Sequence, residues 1–127
     1  RRLLVQKGIS SAFTERLVKA YGSVTIGDPL EDGILMGPLV NKAAVDTYEQ
    51  AIETIRSQGG EILCGGKVID RAGFFVEPTI VRAPADMPII QEETFAPILY
   101  IIGYGSRLAH ATDSTVTSNT ARLFNSG

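Results

Sequence analysis

Apolar positions along this chain fall into short continuous runs and longer helical stripes, with glycines and prolines between them. Leu3-Leu4-Val5 reads as a buried strand, and Lys7-Gly8 is expected to end it. Ser10 or Ser11 is then placed to cap a helix, because a hydroxyl oxygen accepts an orphan amide of the first turn. Phe13, Leu17 and Tyr21 share one stripe with Val18 at its margin, Glu15, Arg16 and Lys19 cover the other face, and Gly22 is the stop. Gly27-Asp28-Pro29, Gly33 and Gly37-Pro38-Leu39 mark a loop. Asn41 sits where an N-cap is wanted, Val45, Tyr48, Ile52 and Ile55 form a second buried stripe, and Gly59-Gly60 closes it.

The second half turns to extended patterns. Glu61-Ile62-Leu63-Cys64 predicts a buried strand and Gly65-Gly66 a turn. Phe74-Phe75-Val76 and Thr79-Ile80-Val81 predict an extended segment in which Pro78 breaks the ladder, so it is expected to lie at a sheet edge or to bend there. Met87 to Glu92 predicts a short helix after Pro88, and Ile98-Leu99-Tyr100-Ile101-Ile102 a central strand, apolar on both faces. Gly103-Tyr104-Gly105-Ser106 is expected to break that strand. The stretch Thr112 to Thr120, mostly Ser and Thr, predicts a loosely ordered tail. Alternating strands and helices point to an α/β sheet that is at least partly parallel. Two helices and three or four strands are not expected to cover both faces of a sheet, so apolar surface should stay exposed.

Composition narrows the function classes. At 127 residues and 44% hydrophobic, the chain suits one modest globular domain. A formal net charge of −2, with no basic cluster among aromatics, argues against a nucleic-acid surface. The apolar runs are too short for a membrane span. The chain opens at Arg1 inside a strand and without a methionine, which predicts a piece of a longer protein. A single cysteine, Cys64, forms no internal disulfide and favours a reducing compartment.

Few residues offer chemistry. Cys64 closes an apolar strand with glycines behind it, the setting of a packed thiol, and the one histidine, His110, has no partner motif. One cysteine and one histidine make no zinc site, so no metal and no catalytic residue is expected. Gly65-Gly66 and Gly103-Tyr104-Gly105 lack the spacing of a dinucleotide loop and read as turns. The run Gln91-Glu92-Glu93-Thr94-Phe95-Ala96-Pro97-Ile98 is the exception. Its carboxylates are either solvated charges, or one of them turns inward and accepts from a pair of hydroxyls, as a two-oxygen acceptor can. In an extended segment Phe95 would lie on the same side as Glu93 and border a flat ring.

These residues, taken together, resemble the NAD(P)-dependent aldehyde dehydrogenase superfamily, most closely its antiquitin, or α-aminoadipic semialdehyde dehydrogenase, branch. The supporting runs are Arg1-Arg2-Leu3, Gly27-Asp28-Pro29, Gly37-Pro38-Leu39, Gly65-Gly66-Lys67, Val76-Glu77-Pro78-Thr79-Ile80-Val81 and Glu92-Glu93-Thr94-Phe95-Ala96-Pro97-Ile98-Leu99-Tyr100, in the family's order and spacing. Ala96, where most of the superfamily has glycine, is the antiquitin-like detail.

The resemblance implies that residues 1–102 form part of the catalytic domain, an α/β fold with a partial, mostly parallel sheet and flanking helices. Residues 103–127 would be a divergent tail, since the helix and later segments of the family are not recognisable there. It places the nucleophilic cysteine just before Arg1 and the general base and dinucleotide fold further upstream. It assigns Glu93 to the hydroxyls of the nicotinamide ribose and Phe95 to the nicotinamide ring, Glu92 receiving no role. The cofactor implied is NAD. The parent would be a homo-oligomer, a tetramer, in cytoplasm or mitochondrion, oxidising an aldehyde, α-aminoadipic semialdehyde or a relative, to the acid. The isolated chain is expected to be inactive. The alternative is a non-catalytic truncated product that binds intact subunits or does not fold stably.

Overall fold

A computed structural model describes residues 1–105. Strand β1 (Arg2–Gln6) leads into helix α1 (Lys7–Gly22); helix α2 (Lys42–Ser57) is followed by β2 (Glu61–Cys64), β3 (Thr79–Arg82), a 3-10 turn at Pro88–Gln91 and β4 (Ile98–Tyr104). The strands make one sheet in the order β1-β4-β3-β2, with β1–β4 and β4–β3 parallel and β3–β2 antiparallel. This is the α/β, mostly parallel arrangement expected.

The two helices begin for different reasons. Asn41 caps α2, its Oδ1 accepting from the Ala44 N–H at 2.9 Å. The helix ends in a Schellman turn: Gly59 takes φ +87°, its N–H donates to Arg56 O at 3.3 Å, and the Gly60 N–H donates to Ile55 O at 2.8 Å. Neither Ser10 nor Ser11 caps α1, because both lie inside it. The backbone turns at Gln6 (φ −61°, ψ 132°) straight from strand to helix, with no side-chain cap. The phase of α1 is therefore set by β1, and its inner stripe is rotated one residue from expectation. Thr14 is buried, Leu17, Val18 and Tyr21 pack on the sheet, and Phe13 is 38% exposed.

One helix lies on each face of the sheet. On the α2 face, Val45, Tyr48, Ala51, Ile52 and Ile55 pack with Val81, Ile98, Tyr100 and Ile102. On the α1 face, Val5, Ile80 and Ile101 form a smaller core. The alternation of Ile80 with Val81, and of Tyr100 with Ile101, is the strand period that lets two strands serve both cores. Both faces are thus helix-covered, contrary to the expectation, because strands of 4 to 7 residues are spanned by helices of 16. Apolar surface still remains exposed, most of it in the connections, at Leu30, Leu35, Val40 and Phe95, and some on the outer face of α1, at Ile9 and Phe13.

Two further expectations change. Pro78 does not put β3 at an edge, since β3 lies between β4 and β2. The ladder is instead interrupted there, with Val76 bridging Val68 before β3 starts at Thr79. Gly103 does not break β4: Gly103 pairs with Val5 and Tyr104 with Gln6. Partner strand β1 runs to Gln6, and its pairing outweighs the low strand preference of glycine. His110 and the Thr112 to Thr120 stretch lie outside the described residues.

A polar node joins the α2 face to the turn after β2. The Tyr48 hydroxyl donates to Glu77 O at 2.9 Å and lies 2.8 Å from Thr79 Oγ1, which accepts from the Gly66 N–H at 2.9 Å. Burial pushes the Tyr48 hydroxyl above its ordinary pKa, partly offset by its bond to Thr79.

Candidate functional site

The segment from Glu92 to Pro97 is irregular, but it is held at both ends. On one side, Ile89 and Ile90 of the 3-10 turn are buried, and the Ile89 N–H donates to Gln58 Oε1 at 2.9 Å, tying the turn to the end of α2. On the other, the Thr79 N–H donates to Pro97 O at 2.8 Å, at the start of β3 and β4. Between these anchors, Ala96 N–H donates to Thr94 O at 2.9 Å and Ile98 N–H to Ala96 O at 2.7 Å. Bonds across two residues, with no described non-glycine residue at positive φ, make these inverse γ-turns centred on Phe95 and Pro97. The segment is therefore kinked, not uniformly extended as the sequence reading assumed.

Glu93 is exposed, and its carboxylate makes no hydrogen bond or ion pair with the described residues. Phe95, two residues on, is 81% exposed. A cleft of about 390 Å³ lies elsewhere, between α1 and the β2–β3 edge, lined by Ser11, Thr14, Glu15, Val18, Lys19, Leu63 and Arg82. What Glu93 and Phe95 share is a fixed short stretch of backbone that presents two free acceptor oxygens and an uncovered ring face. Two acceptor oxygens can take both hydroxyls of a diol, and an uncovered aromatic can cover a flat ring.

The other candidates offer no reaction centre. Cys64 is half-buried, and burial pushes its thiol up, against a smaller opposing effect of the Ile80 backbone, so it stays protonated at neutral pH. No group of three or more His, Cys, Asp or Glu residues that would hold a metal occurs among the described residues. No described helix is long and apolar enough to cross a membrane.

Sequence reasoning passed over Tyr100. It is 3% exposed, and its hydroxyl has no hydrogen-bond partner among the described residues. Burial pushes its pKa up; the Thr94 side chain opposes this and the Glu92 charge adds to it. An unpaired buried hydroxyl costs about 1–3 kcal/mol. The signal was present in the chain as a single tyrosine within the aliphatic run Ile98-Leu99-Tyr100-Ile101-Ile102.

Comparison with known proteins supplies the context for this segment. Residues 1–117 match the model of the aldehyde dehydrogenase family, a match that runs past Ile102. The chain is 45% identical over 106 residues to aldehyde dehydrogenase family 7 member B4 of Arabidopsis thaliana, covering 84% of this chain and 21% of that protein. It is 45% identical over 105 residues to the α-aminoadipic semialdehyde dehydrogenase of Mus musculus, covering 82% and 20% respectively. The crystal structure of PnpE in complex with nicotinamide adenine dinucleotide superposes with a TM-score of 0.78 at 36% identity, over 83% of this chain and 22% of that one. The chain therefore spans about a fifth of the length of the curated relatives it matches.

Proposed function

The chain belongs to the aldehyde dehydrogenase family, and we propose that it is a segment of an NAD-dependent enzyme oxidising α-aminoadipic semialdehyde, or a related aldehyde, to the carboxylic acid. The observation that carries the reading is the anchored turn presenting the free Glu93 carboxylate two residues from the uncovered Phe95 ring. The semialdehyde rests on the likeness to the mouse enzyme, and NAD on the dinucleotide in the PnpE complex.

In this reading Glu93 accepts hydrogen bonds from the two ribose hydroxyls beside the nicotinamide. An ionised carboxylate offers acceptors on both oxygens and no competing donor, which matches a vicinal diol. Phe95 lies along the ring edge or face and keeps water from that side. When bound, NAD accepts the hydride that leaves the aldehyde-derived carbon. The contribution of this chain is placement, since a misplacement of about 1 Å can cost on the order of a hundredfold in rate. Anchoring through Gln58 on one side and Thr79 on the other makes the turn rigid enough to serve.

The test is Glu93→Gln in a full-length aldehyde dehydrogenase carrying this segment. The neutral amide keeps the shape but weakens both accepted bonds. Single-turnover hydride transfer is expected to slow about tenfold, equivalent to about 1.4 kcal/mol of barrier, while the Kd for NAD changes less than about threefold. An unaltered single-turnover rate would reduce Glu93 to a surface charge.

The 127-residue chain alone is expected to produce no NADH from aldehyde and NAD. Its described residues hold no nucleophile paired with a base: the Cys64 thiol is pushed up, and the one histidine, His110, is not among them. Aldehyde-dependent NADH formation by the purified chain, above a Cys64→Ser control, would overturn this.

A further inference from the structure

The segment with Glu93 and Phe95 is tied back to the end of α2 by one side chain. Gln58 caps α2, and its own backbone is fixed: its N–H donates to Thr54 O at 2.9 Å, and the Gly59 and Gly60 amides close the turn behind it. From that point its Oε1 accepts from the Ile89 N–H at 2.9 Å, in a half-buried bond between residues 31 apart in the chain. That amide belongs to the first turn of the 3-10 helix, where a helix supplies no acceptor of its own, and Pro88 before it has no N–H. Ile89 is 6% exposed, which leaves water little access in place of the glutamine. Ile89 also carries the constraint forward, because its carbonyl accepts from the Glu92 N–H at 3.1 Å. Two hydrogen bonds thus lead from the cap of α2 to the residue before the free carboxylate. Gln58 supplies the side chain in this path; everything else in it is backbone.

We propose that Gln58 is a positioning residue: its side chain fixes the 3-10 turn at Ile89, and through the Ile89 carbonyl and Glu92 it sets where the Glu93 turn stands. The inference rests on the reading of Glu93 given above. Gln58 touches no reacting atom. It keeps the backbone before Glu93 from drifting, and hydride transfer is sensitive to drift, because a displacement of about 1 Å can cost on the order of a hundredfold in rate. The far end of the segment is held by backbone alone, the Thr79 N–H on Pro97 O at 2.8 Å. Gln58 is therefore the end that a side-chain substitution can release.

The experiment compares four variants of a full-length enzyme carrying this segment. Gln58→Met keeps the length of the side chain and removes the amide acceptor. Gln58→Glu keeps an acceptor oxygen for the Ile89 N–H. Ile55→Val loosens the end of α2 without touching the bond, and Glu93→Gln reports on the ribose reading. The readouts are Tm, amide hydrogen exchange over residues 89–92, the Kd for NAD, and single-turnover hydride transfer well below Tm. Gln58→Met is expected to raise exchange at the Ile89 and Glu92 amides about tenfold. Hydride transfer should fall about fivefold, with the Kd for NAD changed less than about threefold. Gln58→Glu should bring exchange and rate back to within about twofold of the parent. Ile55→Val should lower Tm and keep the parent rate. A Gln58→Met enzyme with a lowered Tm and a parent-like rate would make the bond purely structural and overturn the proposal. So would a Gln58→Glu enzyme as slow as Gln58→Met, or an Ile55→Val enzyme slowed as much. A slow Glu93→Gln beside a parent-like Gln58→Met sinks the anchor alone. A parent-like Glu93→Gln beside a slow, fast-exchanging Gln58→Met sinks the ribose reading and supports the anchor.

Discussion

Gly65→Ala is expected to destabilise the folded chain by about 4 kcal/mol, a large part of the 5–15 kcal/mol that typically holds a domain together. Gly65 adopts φ +74°, and a Cβ built there falls 2.4 Å from Pro78 O, 2.7 Å from Thr79 Oγ1 and 3.0 Å from Pro78 C. The left-handed backbone alone costs an alanine about 1–2 kcal/mol. The remainder comes from the collision, because the atoms in the way are backbone or are tied down. Thr79 N–H is bonded to Pro97 O, and Thr79 Oγ1 accepts from Gly66 while meeting Tyr48. Any shift that relieves the clash breaks bonds joining α2, the turn and β3, each worth about 1 kcal/mol. Gly33→Ala separates the two terms: Gly33 has φ +81° and nothing within 4 Å of its Cβ position, so it should lose only the backbone part. Urea unfolding of both variants decides the matter. Equal losses would mean that the Pro78–Thr79 backbone moves aside freely, contrary to the account here.

Ile55→Ala should cost about 3 kcal/mol, from lost burial and the cavity left behind. Ile55 is 0% exposed on the last turn of α2. Its Cγ2 lies 2.6 Å from where a Cβ on Gly60 would stand, and Met87 Sδ lies 3.2 Å from that same point. The residue therefore fills the angle where α2 turns back toward β2 under the 3-10 turn. Collapse into the gap is limited, because Gly60 N–H is bonded to Ile55 O and the 3-10 turn is pinned to Gln58. Ile55→Val should cost about 1 kcal/mol, and Ile9→Ala, at a position 57% exposed, close to nothing. An Ile55→Ala midpoint matching that of Ile9→Ala would show that this core is not close-packed.

How much of the candidate site was legible in the chain depends on which property is asked for. The types and order of Glu93 and Phe95 could be read directly, and the family resemblance assigned their partners. Their exposure could not be read, because it depends on what packs against the 3-10 turn and the start of β4. Among the described residues nothing covers them. Nor could the kink between them be read, since it comes from γ-turns formed as Pro97 O is claimed by Thr79 across the sheet.

Local rules account for what the chain alone determined. The cap at Asn41, the glycine turn at Gly59, the inner stripe of α2 and the doubly apolar run of β4 are set by residues within a few positions of one another. Tertiary structure decided the rest. It set the phase of α1, which follows the strand feeding it. It put β3 in the interior despite Pro78, and carried β4 through Gly103 because β1 is there to pair with it. It also left the Tyr100 hydroxyl buried without a hydrogen-bond partner among the described residues. Each of these depends on a neighbour far away along the chain, and hydrogen bonds and packing across such distances outweigh the preferences of single residues.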